Sequence, residues 1–127
     1  MSHRLIVSFG SNLEPEKYRL LAREALAQRF GNVSESPFLW TEALGGGDQP
    51  RYLNGAFLFH CDREPEFVRD ELRAIETRLG RMRGPDKYAP RNVDLDLIAV
   101  DREIVHGDYH QRDFVRKCAR ALAPDLP

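Results

Sequence analysis

Within residues 92–100, NVDLDLIAV, the segment VDLDL (93–97) alternates apolar and acidic side chains with a period of two. That period belongs to a β-strand, where successive side chains point to opposite faces. Val93, Leu95, Leu97 and Ala99 fall on one face. Asp94 and Asp96 fall on the other, followed by Ile98 and Val100. Strands are depleted in Asp, and the α-carbons of this pair sit about 7 Å apart, two strand rises. Two carboxylates that close repel unless something positive lies between them. The segment demands a sheet whose one face is covered and whose other face carries acid.

The remaining periodicities supply the rest of such a sheet. RLIVSFG (4–10) reads as a buried strand, closed by a turn at Gly10, Ser11 and Asn12. Pro15 suits a first helical turn, and residues 15–30 place Leu20, Leu21, Ala25 and Leu26 at helical spacing until Gly31. Residues 32–41 read as a second strand, interrupted at Pro37, which suggests an edge or a bulge. EALGGGDQPR (42–51) is a loop, and YLNGAFLFH (52–60) is a third strand. Residues 64–79 form a second helix with Phe67, Val68, Leu72, Ile75 and Leu79 on one face. A basic loop (80–90), the acidic strand and a last helix over 113–122, stopped before Pro124, complete the chain. The order βαββαβ plus a C-terminal helix is the α+β, ferredoxin-like arrangement: an antiparallel sheet with helices on one face. Fold alone assigns no function.

The chain has 127 residues, which predicts a single domain over 1–127. Nineteen basic residues oppose twenty acidic ones, so no global field draws the protein to nucleic acid or to an anionic membrane. Locally the balance differs. RMRGPDKYAPR (81–91) holds Arg81, Arg83, Lys87 and Arg91 against only Asp86, an excess that suits an anionic ligand such as a polyphosphate. Cys61 and Cys118 form neither a CxxC nor a zinc-ligand spacing, as expected of a reduced, cytoplasmic protein. No apolar run approaches about 18 residues, so no membrane span is expected, and MSHRLIVSFG is too short for a signal peptide. A monomer is the default over an oligomer.

Three constellations carry chemistry. Asp94 and Asp96 offer hard carboxylate oxygens of the kind that hold Mg²⁺ together with substrate phosphates; the alternative is two solvent-facing residues on a half-exposed strand. Arg81, Arg83 and Arg91 would clamp phosphates bidentately; the alternative is a solvated charged turn. Tyr52 and Asn54 share a strand face, one able to stack on a flat ring, the other offering both donor and acceptor; the alternative is an ordinary strand start. His106 and His110 have i,i+4 spacing, but Gly107 argues against a helix there and no HExxH accompanies them. No P-loop, GxGxxG or nucleophilic triad is present, and Trp40, Cys61 and Cys118 read as packing residues.

Four segments occur in one order: FGSNL (9–13), DQPRYLNGA (48–56), IETRLGRMR (75–83) and PRNVDLDLI (90–98). In that order and style the chain resembles 6-hydroxymethyl-7,8-dihydropterin pyrophosphokinases of folate biosynthesis, from about residue 4 to 100 and again weakly near the end. The resemblance implies a ferredoxin-like fold and transfer of pyrophosphate from ATP to a pterin hydroxymethyl group, with release of AMP. By position it implies two Mg²⁺ on Asp94 and Asp96, with Arg81, Arg83 and Arg91 on the phosphates as catalytic residues. Glu76, His106 and Arg112 would join those arginines around the nucleotide. Thr41, Leu44, Tyr52, Asn54 and Phe114 would hold the pterin, and the GGG loop and basic loop would close as lids. Partners are then small molecules, not nucleic acid or membrane.

The chain departs from that pattern in places. Between the acidic strand and RDFV the family has a longer stretch ending in Pro-His, shortened here to DREIVHGDYHQ (101–111). Glu42 and Ala43 stand where prolines are common, and Tyr88 stands where a tryptophan is common. The alternatives are therefore a related transferase with altered nucleotide or pterin substrate, or a non-catalytic pterin-binding homologue. An RNA-binding sheet is a further class, but RLIVSFG and YLNGAFLFH lack its exposed aromatic pattern.

Overall fold

The computed structural model describes residues 2–42, 49–81 and 92–127. Its elements in chain order are β1 (His3–Ser11), α1 (Pro15–Phe30), β2 (Ser34–Glu35), β3 (Leu39–Thr41), β4 (Tyr52–Cys61), α2 (Pro65–Arg78), β5 (Asp94–Val100), β6 (Glu103–Ile104), α3 (Asp108–Gln111) and α4 (Asp113–Leu122). The protein is thus mixed α/β: four helices and a six-stranded antiparallel sheet among the described residues. The sheet runs β2-β4-β1-β5-β6, with β3 also paired to β4.

The expected second strand is two short pieces, because the chain leaves the ladder at Pro37. Ser36 bridges the gap: its N–H donates to the Ala56 carbonyl and its Oγ accepts from the Ala56 N–H, both at 2.9 Å. The hairpin strand β6 and the single turn α3 are additions to the element order read from periodicity. Each is too short to show a period.

Two cores lie on opposite sides of the sheet. Leu5, Val7 and Phe9 of β1 join Phe57, Phe59, Leu95 and Leu97 under α1 and α2, contacting Ala22, Leu26, Val68, Leu72 and Ile75. Ile6, Ala56, Ile98 and Ala99 face the other way, against Tyr109 of α3 and Val115, Cys118 and Ala119 of α4. The C-terminal helix therefore covers the face that α1 and α2 leave bare. Cys61 and Cys118, both free and buried, belong to different cores.

Three sequence expectations need correction. Strict alternation put Ala99 with Leu95 and Leu97, yet Ala99 lies in the α4 core and Val100 in the other. The pairing steps from Val7↔Leu97 to Ile6↔Ala99, so Ile98 is the extra residue of a β-bulge, and a one-residue insertion flips every later side chain. In α1, Leu20 is exposed and Ala22 takes the buried position with Leu26, four residues on. Trp40 is half exposed at the sheet edge, with the Arg51 guanidinium 5.7 Å from its ring centroid.

Candidate active site

The cross-strand register assembles the site. Gly10 of β1 pairs with Asn54 of β4 on one side and with Asp94 of β5 on the other. In the next row Ser8 stands between Ala56 and Asp96. Directly paired residues project to the same face, so Asn54, Asp94 and Asp96 share the face that α4 covers. Two strand spacings put Asn54 and Asp94 roughly 10 Å apart. Gly10 adds no side chain between them; a Cβ there would meet Asn54 Oδ1 at 3.2 Å and Tyr52 Cδ1 at 3.8 Å. The result is a floor with an amide and a phenol at one end and two carboxylates at the other.

At the amide end, Asn54 Nδ2 donates to Thr41 Oγ1 at 2.6 Å, and Thr41 pairs in register with Tyr52. The hydrogen bond fixes which way the Asn54 amide faces, leaving its oxygen toward Gly10. Asn12, buried at the end of β1, donates from Nδ2 to Gln49 Oε1 and the Pro50 carbonyl, each at 3.2 Å, which ties the turn after β1 to the approach of β4. Leu44 lies outside the described residues.

At the acidic end, α2 delivers charge to the edge of β5. Glu76 is fully buried in the stripe with Val68, Leu72 and Ile75. Its Oε2 accepts from the Leu95 N–H at 2.7 Å and from Arg81 Nη1 at 3.0 Å. Arg81 Nη1 also donates to Asp94 Oδ1 at 2.8 Å. Arg73, one turn before Glu76, donates to the Leu95 carbonyl, lies 3.3 Å from Glu76 Oε1 and reaches Asp96 Oδ1 at 3.3 Å. Burial, and next the Asp94 carboxylate, push the Asp96 carboxyl above the usual carboxylate range; His106 and Arg73 pull against them. Arg83 and Arg91 lie outside the described residues, as does most of the basic loop.

The segment after β6 closes over this end. The Asp108 N–H donates to His106 Nδ1 at 3.0 Å, which leaves the proton of the neutral ring on Nε2. Nε2 lies 3.9 Å from Asp96 Oδ1. One ligand atom each from Asp96, His106 and Asp108 fit within 4.8 Å of one another. Arg112 Nε sits 3.4 Å from Asp108 Oδ1, between α3 and α4, and Phe114 packs partly buried against the α4-side core. His110 stacks edge-on against Tyr109 instead, so the i,i+4 histidine spacing does not gather both rings on one ligand.

The structure thus brings Thr41, Tyr52 and Asn54 together, and separately Glu76, Arg81, Asp94, Asp96 and His106. Sequence reasoning passed over Gly10, Asn12, Arg73 and Asp108. Arg73 had a signal: it precedes, by i,i+3, a glutamate set inside an apolar stripe. Asp108, the first residue of α3, had none, since its approach to Asp96 of β5 is a tertiary contact.

A family model described as 7,8-dihydro-6-hydroxymethylpterin-pyrophosphokinase matches residues 6–124. The chain belongs to that family. The 2-amino-4-hydroxy-6-hydroxymethyldihydropteridine pyrophosphokinase of Pseudomonas aeruginosa is 31% identical, over 99% of this chain and 84% of that enzyme. The enzyme of the same name from Haemophilus influenzae is 31% identical over 94% of this chain and 81% of its own length. The folic acid synthesis protein fol1 of Schizosaccharomyces pombe is 28% identical over 94% of this chain, which corresponds to 18% of that larger protein.

Proposed function

We propose that this chain transfers the terminal pyrophosphoryl group of ATP to the hydroxymethyl group of 6-hydroxymethyl-7,8-dihydropterin, acting as a monomer in the cytoplasm. The pterin oxygen attacks the β-phosphorus, the bond from that phosphorus to the oxygen bridging to the α-phosphate breaks, AMP leaves, and the hydroxyl proton passes to solvent. The observation that carries the reading is the row Asn54–Gly10–Asp94, which sets a heterocycle-binding amide and a carboxylate pair across a floor without a side chain. We read the fold that frames it as ferredoxin-like over a single domain, 1–127. The strand order β2-β4-β1-β5, with helices following β1 and β4, supports this.

The donor set fits magnesium. Asp94 and Asp96 present hard oxygens about a quarter exposed, each joined through an arginine to the buried Glu76. Two Mg²⁺ held by them would supply charge neutralisation at the phosphate oxygens. The chain's own groups do the remaining work. Asn54 and Tyr52 orient the pterin with Thr41 and Leu44, and Phe114 closes its far side. Arg81 stands ready beside Asp94 to meet phosphate, with Arg83 and Arg91 following in the basic loop and His106 and Arg112 at the α3 side. Catalysis of this kind is positioning and charge stabilisation.

An AMP-release assay with ATP, Mg²⁺ and the pterin, each omitted in turn, tests the reading. Pterin-dependent AMP is expected. Folded protein that binds the pterin but releases no AMP would refute it. A related transferase using another nucleotide is favoured by one observation: the chain returns from β5 through a two-residue turn and β6 straight to His106, a compact approach to the nucleotide side. Pterin-dependent product from GTP but not ATP would establish that second reading.

A further inference from the structure

Three carboxylates converge on the edge of β5: Glu76, Asp94 and Asp96. Among the described residues, two guanidiniums interleave with them. Arg81 joins Glu76 to Asp94 at 3.0 and 2.8 Å. Arg73 joins Glu76 to Asp96, each at 3.3 Å, and its Nη2 also donates to the Leu95 carbonyl. We infer that Arg73 is a positioning residue of this site, a resident counter-cation that holds Asp96 in place until a divalent ion takes that carboxylate over. The inference rests on the reading of Asp96 as a metal ligand.

The geometry separates anchor from ligand. Arg73 is held by a fully buried carboxylate and by a backbone carbonyl of β5. Neither contact involves Asp96. Both carboxylates lie 3.3 Å from Arg73, but Glu76 is fully buried whereas Asp96 is about a quarter exposed and within reach of an ion. An arriving cation therefore takes Asp96 from Arg73 without repacking α2 against β5. Without Arg73, Asp96 would lose the guanidinium that lies 3.3 Å from it, and an ion would be drawn in more tightly. With Arg73, the site stays folded when empty and yields its ligand readily. Arg73 thus sets how tightly the bare protein holds metal.

The test uses Mn²⁺ alone, with free ion counted by electron paramagnetic resonance, on the full chain. Arg73→Gln keeps a donor for the Leu95 carbonyl and removes the charge. It should bind Mn²⁺ roughly tenfold tighter than the parent, the scale of removing one screened unit charge near the ion. Arg73→Lys, which restores the charge, should return to parental affinity. Arg73→Gln with equal or weaker affinity would overturn the inference. Asp96→Asn separates the two layers. If it loses Mn²⁺ while Arg73→Gln binds as the parent does, the inference alone fails. If it binds Mn²⁺ as the parent does, the metal reading fails and the inference with it. Should Arg73→Gln not fold, recovery of its far-ultraviolet circular dichroism on adding Mn²⁺ supports the inference, and no recovery overturns it.

Discussion

Glu76 shows how much one side chain can carry. A fully buried carboxylate is costly to hold in an apolar stripe unless it is both paired and hydrogen-bonded. Here it has two arginines and a backbone N–H that β1 does not satisfy. Removing it leaves two guanidiniums and one strand N–H without their common partner. Glu76→Ala should therefore destabilise the fold by about 3–5 kcal/mol, read as a lowered urea midpoint with unchanged slope. Glu76→Gln, which retains an acceptor for the Leu95 N–H, should lose less. Equal stability for Glu76→Ala and the parent would show that the hub carries no load. The acid was visible in sequence as a member of IETRLGRMR, implied by resemblance to lie beside nucleotide. Its burial was not visible, because burial depends on what packs over a helix face and no local pattern reports that.

At the level of elements, the strands nearest the proposed pterin end depend on close approach. Gly55 of β4 faces the Phe38 ring, where an added Cβ would come within 2.6 Å of three ring atoms. Phe38 is itself packed against Phe9 and Phe57 and under the Arg19 guanidinium, 3.9 Å from its centroid, so it cannot swing aside cheaply. Gly55→Ala should cost about 1–3 kcal/mol through overpacking and push β3 away from β4. That displacement would lengthen the Thr41–Asn54 bond, so pterin affinity should fall more than nucleotide affinity in paired titrations. Parental stability and affinity in that variant would show that Phe38 yields. Most elements were legible from period: β1, α1, β4, α2 and α4 lie within a residue or two of their expected ranges. The face assignments after Leu97 and along α1 were not legible. A bulge is set by pairing with the neighbouring strand, and which helix stripe turns inward is set by the sheet it meets.

Across the whole molecule, the N-terminal strand, the β5–β6 turn and the C-terminal tail meet at Arg4. Asp101 accepts from the Arg4 N–H at 2.9 Å and pairs with His3 at 2.8 Å, while Asp125 takes the Arg4 guanidinium at 2.9 Å. The Arg4 backbone bond, then the His3 bond, hold the Asp101 carboxyl below its ordinary range. A carboxyl whose folded value is depressed stabilises the fold above its unfolded value, near 3.9. That contribution is lost as pH falls through the lower folded value. Asp96, raised by burial and by Asp94, acts with the opposite sign, so the comparison must isolate Asp101. The parent should lose more stability than Asp101→Asn between pH 6 and pH 3, as measured by urea unfolding. Matching pH profiles would show that Asp101 ties nothing together. The effect is modest, since both partners are exposed and solvent screens the pair.

The sequence by itself determined the element order, the acidic strand, the basic segment and the family, because each is written in local period, local charge or contiguous residues. Only the tertiary structure decided that Gly10 stands between Asn54 and Asp94, that Glu76 is sealed between two arginines, and that α4 covers the face opposite α1 and α2. Those relations join residues far apart in the chain. They follow from strand register and from which apolar faces bury one another, which are energies of the assembled sheet rather than of any single segment.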